Sequence, residues 1–315
     1  MSYVIKSCFR LLSLAIVHLR KPSRVNFSGS SHILNMENTL IISPAYNVSN
    51  KIGKVLCSLN KYKKHCLFIN DGSTDNTPNL IEKAGFSIIN MTYNTGISKS
   101  ILTGLRYALE HDYKYVILMD ADGQHNANDI EIMANHLKYS DAVFANRFNT
   151  THNIPSCKIT ANAFASAIYK EISKYYIPDV SCGYKAFKIT QKNVDFLSNT
   201  EGYSIIYRLV NYCIIQKYNV NYITTNAIYY YEDLLSTRTE ELIALLSTAI
   251  QLSSIYAESK LQKRLNELLS KAICRQNFSA IFCNINFYAF YLEKYDSYIL
   301  QAPLDKIHTF YNQGE

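Results

Sequence analysis

The sequence predicts an α/β fold on a mainly parallel sheet, with a helical C-terminal region and an amphipathic N-terminal helix. Three observations lead there. From residue 38 to about 146, short apolar runs alternate with amphipathic stretches of helical period, the βαβ rhythm of a parallel sheet. Each apolar run ends in a polar cluster, and ligands of such sheets sit beyond the carboxyl ends of the strands. The 315 residues are 48% hydrophobic and 18% charged with 10 Gly and 6 Pro, which excludes a disordered or collagen-like chain.

The N-terminal element comes first. Residues 3–21 read as a helix at about 100° per residue. Val4, Ile5, Cys8, Phe9, Leu11, Leu12, Ala15, Ile16 and Leu19 fall on one half of its wheel, and Lys6, Arg10, Arg20 and Lys21 on the other. Residues 1–36 carry five basic side chains and no acid, while the remaining 27 basic and 25 acidic side chains leave a body of only +2. An apolar half opposed by cations suits a membrane surface. Docking on the protein's own core, a signal peptide, and an extension ahead of Met36 stay open. A nucleic-acid binder would carry its basic excess on the folded body, so no nucleic-acid partner is expected.

The organisation that follows is a helix and linker over 1–35, a main domain over 36–235 and a helical region over 236–315. Strands are expected at 39–43, 66–70, 87–91, 115–119 and 142–145, with helices at 51–62, 77–84, 98–110 and 128–138 between them. A long helix after 153, a strand near 184–188, a helix at 204–216 and strands near 220–225 and 228–231 complete the domain. Mean hydropathy is -0.09, and no apolar run reaches the ~18 residues of a helical span. The eight Cys include no C-x-x-C pair and no zinc-like spacing with His, so reduced thiols in a cytoplasmic setting are expected.

The post-strand clusters carry the chemistry. They are Ser43-Pro44-Ala45-Tyr46-Asn47, Asn70-Asp71-Gly72-Ser73-Thr74-Asp75, Asn94-Thr95-Gly96, Asp120-Ala121-Asp122-Gly123-Gln124-His125 and Asn146-Arg147-Phe148. Any one alone is turn punctuation; five at one sheet edge point to a site. Asp120 and Asp122, two residues apart as a buried strand ends, suit a divalent cation bound through hard oxygens that neutralises a diphosphate. An acidic helix cap explains them less well, because Asn126 and Asn128 are better placed for that role.

On these motifs the chain resembles the family 2 glycosyltransferases of GT-A fold, over about residues 38–235. Pro44-Ala-Tyr-Asn, Asn70-Asp-Gly-Ser-Thr-Asp, Asn94-x-Gly and Asp120-Ala-Asp-Gly-Gln-His occur in that family's order and spacing. Arg147, Ile154-Pro155…Lys158…Asn162 and Asp179-Val-Ser-Cys-Gly-Tyr-Lys-Ala-Phe187 look most like the branch of dolichyl-phosphate mannose synthase and its bacterial polyprenyl-phosphate relatives. The resemblance implies that Pro44, Tyr46 and Asp71 cradle base and ribose, with Asn47, Asn94 and Gly96 on the same nucleotide-sugar side. It implies Asp120, Asp122 and Gln124 as a site for Mg²⁺ or Mn²⁺ and the diphosphate. Arg147 and Lys158 would receive a lipid phosphate, and Asp179, Ser181 and Gly183 would shape the sugar pocket.

The pattern departs in several places. Val48 stands where an acid is usual, Asn70 replaces an aspartate, and Ala145-Asn146-Arg147 replaces Gly-Ser-Arg. No acid lies near Ile206 and Tyr207, and Thr225-Asn226-Ala227 replaces Glu-x-Pro. The expected reaction is inverting transfer of a hexose from a UDP- or GDP-sugar to a polyprenyl phosphate, by a peripheral enzyme on the cytoplasmic membrane face. Transfer to a glycan hydroxyl is the alternative, and it needs a base, for which Asp179 and Glu201 are the candidates. A nucleotide-sugar-binding protein without catalysis is the third reading.

Overall fold

The computed structural model describes residues 36–148, 154, 156–226, 228, 239–257 and 259–274. The helix expected at 3–21 and most of the strand expected at 228–231 lie outside them; Ile228 itself belongs to no element.

The strands are β1 (Thr39–Ala45), β2 (Cys66–Asn70), β3 (Ser87–Asn90), β4 (Tyr115–Leu118), β5 (Ala142–Asn146), β6 (Lys185–Lys188) and β7 (Val220–Thr224). Between them run α1 (Ile52–Leu59), α2 (Thr77–Lys83), α3 (Ile97–Glu110), α4 (Asp129–His136), α5 (Ser156–Ser173), α6 (Gln191–Leu197) and α7 (Ser204–Ile215), with α8 (Thr239–Tyr256) and α9 (Ser259–Cys274) after β7. The sheet order is β3-β2-β1-β4-β6-β5-β7. Every pairing is parallel except those of β6, which is antiparallel to β4 and β5. This is the mostly parallel GT-A arrangement.

Two features of that order position the site. The chain builds outward from β1 to β3 and then returns to lay β4 against β1, so a crevice opens beyond the carboxyl ends of that pair. Because β6 runs backwards, its amino end lies where β4 and β5 finish, with Lys185 in register with both Leu118 and Phe144. The segment leading into β6 is therefore delivered to the crevice.

Side-chain alternation splits the core across the sheet. Leu40, Ile42, Leu67 and Ile69 join the side chains of α3 and α7 in one cluster. Ile41, Phe68, Ile117 and Val143 join those of α1 and α4 in the other. Helix α3 lies so close to β1 that a Cβ on Gly104 would overlap the Ile42 side chain. Helix α8 packs against α7 and α5, and α9 against α8. Leu242, Leu245, Leu246, Ala249 and Leu252 of α8 thereby enter the first cluster.

Two elements differ from expectation. The helix expected over 51–62 stops at Leu59 and tightens into a 3₁₀ turn over Asn60–His65. There the Lys61 ammonium and the Tyr62 hydroxyl both donate to Glu131 Oε1 of α4 at 2.9 Å. Helix α6 was not expected. It is started by Thr190, whose hydroxyl accepts from the Asn193 N–H while the Asn193 side chain accepts from the Thr190 N–H. That is a capping box with Asn in place of the usual Glu or Gln.

Candidate active site

The first wall of the crevice is three loops stitched together. After β1, Asn47 takes a left-handed conformation (φ 49) that Asn tolerates better than most residues. Its Oδ1 accepts from the Thr74 and Asp75 N–H groups at 2.8 and 3.3 Å, and its own N–H donates to Ser73 Oγ at 3.0 Å. Burial would raise the Asp75 carboxyl, but hydrogen bonds from Thr77 and Ser49 outweigh it and hold the group down to about 2. Asp71, buried just after β2, accepts from Thr95 N–H and Oγ1 at 2.8 and 2.9 Å and from Gly96 N–H at 2.8 Å. Gly72 has φ +67, and a Cβ there would lie 2.6 Å from the Asn94 backbone nitrogen. No other residue fits so close to that backbone.

The second wall follows β4. The Asp120 N–H donates to His125 Nδ1 at 3.1 Å, which assigns the ring proton to Nε2, 3.6 Å from Asp120 Oδ2. Burial lowers the pKa of His125, so the ring is neutral at pH 7. It stacks on Tyr184 with centroids 4.8 Å apart, and the Tyr184 hydroxyl donates to the Asn126 carbonyl at 3.1 Å. Asp122 Oδ1 accepts from the Gln124 N–H at 2.9 Å. Desolvation by the surrounding protein pushes the Asp120 carboxyl up to about 6, against the pull of Arg147 and Lys185. A Cβ on Gly183 would stand 2.9 Å from Asp120 Oδ2, so only glycine leaves that carboxylate its place.

The donor set bears on a metal. Among the described residues no group of three or more His, Cys, Asp and Glu is arranged to hold an ion. Asp120 and Asp122 nevertheless face one cleft together with Gln124. Mg²⁺ and its analogues commonly take one or two carboxylates and complete their shell with substrate phosphates and water. The residues present fit that kind of site.

The third wall combines the end of β5 with the turn before β6. Arg147 Nε and Nη2 donate to the two oxygens of Asp179 at 2.7 and 2.8 Å, and Nη2 also donates to Ser181 Oγ at 3.0 Å. Asp179 further accepts from the Arg147 and Cys182 N–H groups at 3.1 Å each. On α5, Asn162 donates to the Pro178 carbonyl at 2.7 Å and accepts from the Val180 N–H at 3.1 Å. Lys185, fully buried, donates to the carbonyls of Val180 and Cys182.

The cleft has a volume of about 730 Å³, within the ordinary range of small-molecule sites, roughly 300–1,000 Å³. Pro44, Tyr46, Asp71, Asn94, Gly96, Asp120, Asp122, Gln124, Arg147, Lys158, Ser181 and Gly183 line it, so twelve of the residues singled out in the sequence converge. Asn47 and Asp179 do not line it. The side chain of Asn47 is spent on the neighbouring loop, and Asp179 lies behind Arg147 with four hydrogen bonds to its carboxylate from Arg147 and Cys182. Where the sequence reading expects direct contact, the structure gives both a positioning place, and the enclosed Asp179 carboxylate is poorly set to act as a base. Glu201 is exposed and also outside the lining, although Gly202 and Tyr203 belong to it.

Sequence reasoning missed three contributors. Glu240 and Glu241, in the first turn of α8, line the cleft; nothing in a helix-patterned stretch signals that it returns to the site. Lys185 stands within the Asp179–Phe187 motif quoted from the sequence, where nothing assigns it a role of its own.

A family model described as Glycosyl transferase family 2 matches residues 40–193. An uncharacterized protein of Methanocaldococcus jannaschii is 32% identical over 185 residues, which is 53% of this chain and 77% of that one. The polyprenol monophosphomannose synthase of Mycolicibacterium smegmatis is 23% identical over 164 residues, 48% of this chain and 62% of the synthase. Across six such relatives the chain spans 54% to 77% of their length. In fold, the glucosyl-3-phosphoglycerate synthase of Mycobacterium tuberculosis, solved with Mn²⁺, UDP-glucose and phosphoglyceric acid, matches with a TM-score of 0.51 at 14% identity. That match covers 67% of this chain and 79% of the other.

Proposed function

From the premise that this chain belongs to glycosyltransferase family 2, we propose that it transfers a hexose from a nucleoside-diphosphate sugar to a polyprenyl phosphate at a membrane surface, with inversion at the anomeric carbon. The observation that carries this reading is the convergence, in one cleft, of a carboxylate pair on one wall and two cations on another. Asp120 and Asp122 line the side of β4, Arg147 and Lys158 the side of β5 and α5.

The roles follow from chemistry. Tyr46 and Pro44 offer an apolar bed for the base, beside a loop that Asp71 holds rigid. Asp120 and Asp122 would hold Mg²⁺ or Mn²⁺, which when bound neutralises charge on the departing diphosphate. The Mn²⁺ and UDP-glucose in the mycobacterial neighbour support that assignment. A phosphate acceptor is already anionic at neutral pH, so it needs cations to align it rather than a base. Arg147, fixed in its plane by Asp179 and Ser181, and Lys158 would provide the alignment. The relative named as a polyprenol monophosphomannose synthase supports this acceptor class.

One observation favours a second reading. Glu240 and Glu241 bring carboxylates to the same cleft, and a carboxylate within reach is what a glycan hydroxyl acceptor requires. Incubation with a panel of labelled UDP- and GDP-sugars, Mn²⁺ and undecaprenyl phosphate, followed by lipid extraction, separates the two. Label in the lipid phase supports the phosphate acceptor. Label that enters only an added oligosaccharide supports the hydroxyl.

A further inference from the structure

Lys185 is an anomaly of its strand. β6 lies between β4 and β5, and Lys185 is completely buried there. Taking an ammonium out of water costs several kcal/mol unless its donors are satisfied. Its surroundings satisfy it from two sides. The Phe144 ring lies beneath, 4.8 Å from Nζ to the centroid, a distance at which a cation is attracted to an aromatic face. Above, the carbonyls of Val180 and Cys182 both accept from Nζ.

Those two carbonyls belong to alternate residues of one turn. With Val180 and Cys182 pulled inward, the side chains of Asp179 and Ser181 meet the Arg147 guanidinium. Asn162 secures the same turn from α5, through the Pro178 carbonyl and the Val180 N–H. The chain of contacts runs from a buried ammonium, through two carbonyls, to the carboxylate and hydroxyl that set the plane of a cleft-lining arginine.

We propose that Lys185 is a positioning residue for Arg147, holding the 179–182 turn so that the guanidinium presents a fixed edge to the acceptor. The acceptor side of this statement rests on the function proposed above. The link between Lys185 and Arg147 does not. Loss of the ammonium leaves the turn without its anchor, and misplacement of a catalytic group by about 1 Å costs on the order of a hundredfold. The metal side of the cleft has a support outside that turn, the His125 ring that accepts from the Asp120 N–H.

The test is a double-variant cycle in the full chain with Lys185→Met and Arg147→Lys. Undecaprenyl phosphate in detergent micelles serves as acceptor, and donor-side affinity is titrated with UDP or GDP and Mn²⁺. Lys185→Met is expected to raise the acceptor KM, or lower kcat, by about ten- to a hundredfold, with nucleotide affinity within about threefold of the parent. The double variant is expected to be no worse than Arg147→Lys alone, because both act through one guanidinium. Additive losses, or equal losses of nucleotide and acceptor, overturn the proposal. Should Lys185→Met not fold, Lys185→Arg replaces it in the same cycle, since its longer fork displaces both carbonyls. Failure of the phosphate-acceptor reading looks different: undecaprenyl phosphate then gives no lipid product even with the parent chain. The cycle is in that case run on kcat with an oligosaccharide acceptor, where non-additivity again supports the Lys185 link and additivity refutes it.

Discussion

At the scale of single residues, the cleft depends on a few atoms whose neighbours leave them no alternative. Asp122 lines it, and its carboxylate also accepts the Gln124 N–H that shapes the loop. Asp122→Ala is expected to reduce turnover more than tenfold, above ~1.4 kcal/mol in barrier terms, with the thermal midpoint within about 2 °C of the parent, a shift under ~1 kcal/mol. Retention of more than about a tenth of the rate would remove Asp122 from the diphosphate site. Gly183 gives a finer probe. An added Cβ would stand 2.9 and 3.3 Å from the two oxygens of Asp120, and that carboxylate can swing aside more cheaply than backbone can move. Gly183→Ala is therefore expected to fold normally yet weaken Mn²⁺-dependent UDP or GDP binding by about tenfold or more, roughly the loss of one charge-assisted contact. Calorimetric titration checks it; parent-like affinity would show that Asp120 does not touch the metal–diphosphate group.

At the scale of elements, the reversed strand β6 is the organising piece, because it carries the 179–183 turn to an edge otherwise made by parallel strands. Its far end is tied by Asp141, which accepts from Lys188 Nζ at 2.9 Å and from the Asn219 N–H at 3.0 Å, joining β6 to the start of β7. The hydrogen bond from Lys188 holds the Asp141 carboxyl below its usual value despite partial burial. A group depressed in the folded state contributes stability above its unfolded pKa of about 3.9 and loses it as pH falls through the folded value. Asp141→Asn is thus expected to lower the melting midpoint at about pH 6, with the gap to the parent closing as pH falls below about 4. A gap that stays constant over that range would contradict the assignment. The βαβ elements were legible because apolar runs and helical periods are local signals. The antiparallel insertion of β6 was not, since Tyr184–Lys188 reads the same whichever way it pairs. Arg147 and Asp179 were both legible as site residues. Their mutual pairing was not, because 32 residues of chain separate them and only the sheet order brings them together.

At the scale of the whole molecule, one cleft at the strand-order reversal joins the wall of Tyr46 and Asp71, a carboxylate wall and a cationic wall, bordered by the first turn of α8. Among the described residues no helix is long and apolar enough to cross a membrane. The proposed membrane contact draws instead on the basic segment at residues 3–21, which lies outside the described residues. Each Lys or Arg near an anionic surface would add up to about 1 kcal/mol. A chain starting at Met36 is expected to fold and bind nucleotide but lose co-sedimentation with phosphatidylglycerol vesicles at low salt. Equal sedimentation of both forms would place the membrane contact elsewhere. The central claim is that the bond formed joins the anomeric carbon to a phosphate oxygen held beside Arg147 and Lys158. The most direct measurement is ³¹P NMR of the lipid product made from undecaprenyl phosphate and the donor that the labelled-sugar panel selects. The account predicts a phosphodiester resonance in place of the monoester, with proton couplings that report an anomeric configuration opposite to the donor's. An unchanged monoester beside sugar newly linked to a glycan hydroxyl would contradict it.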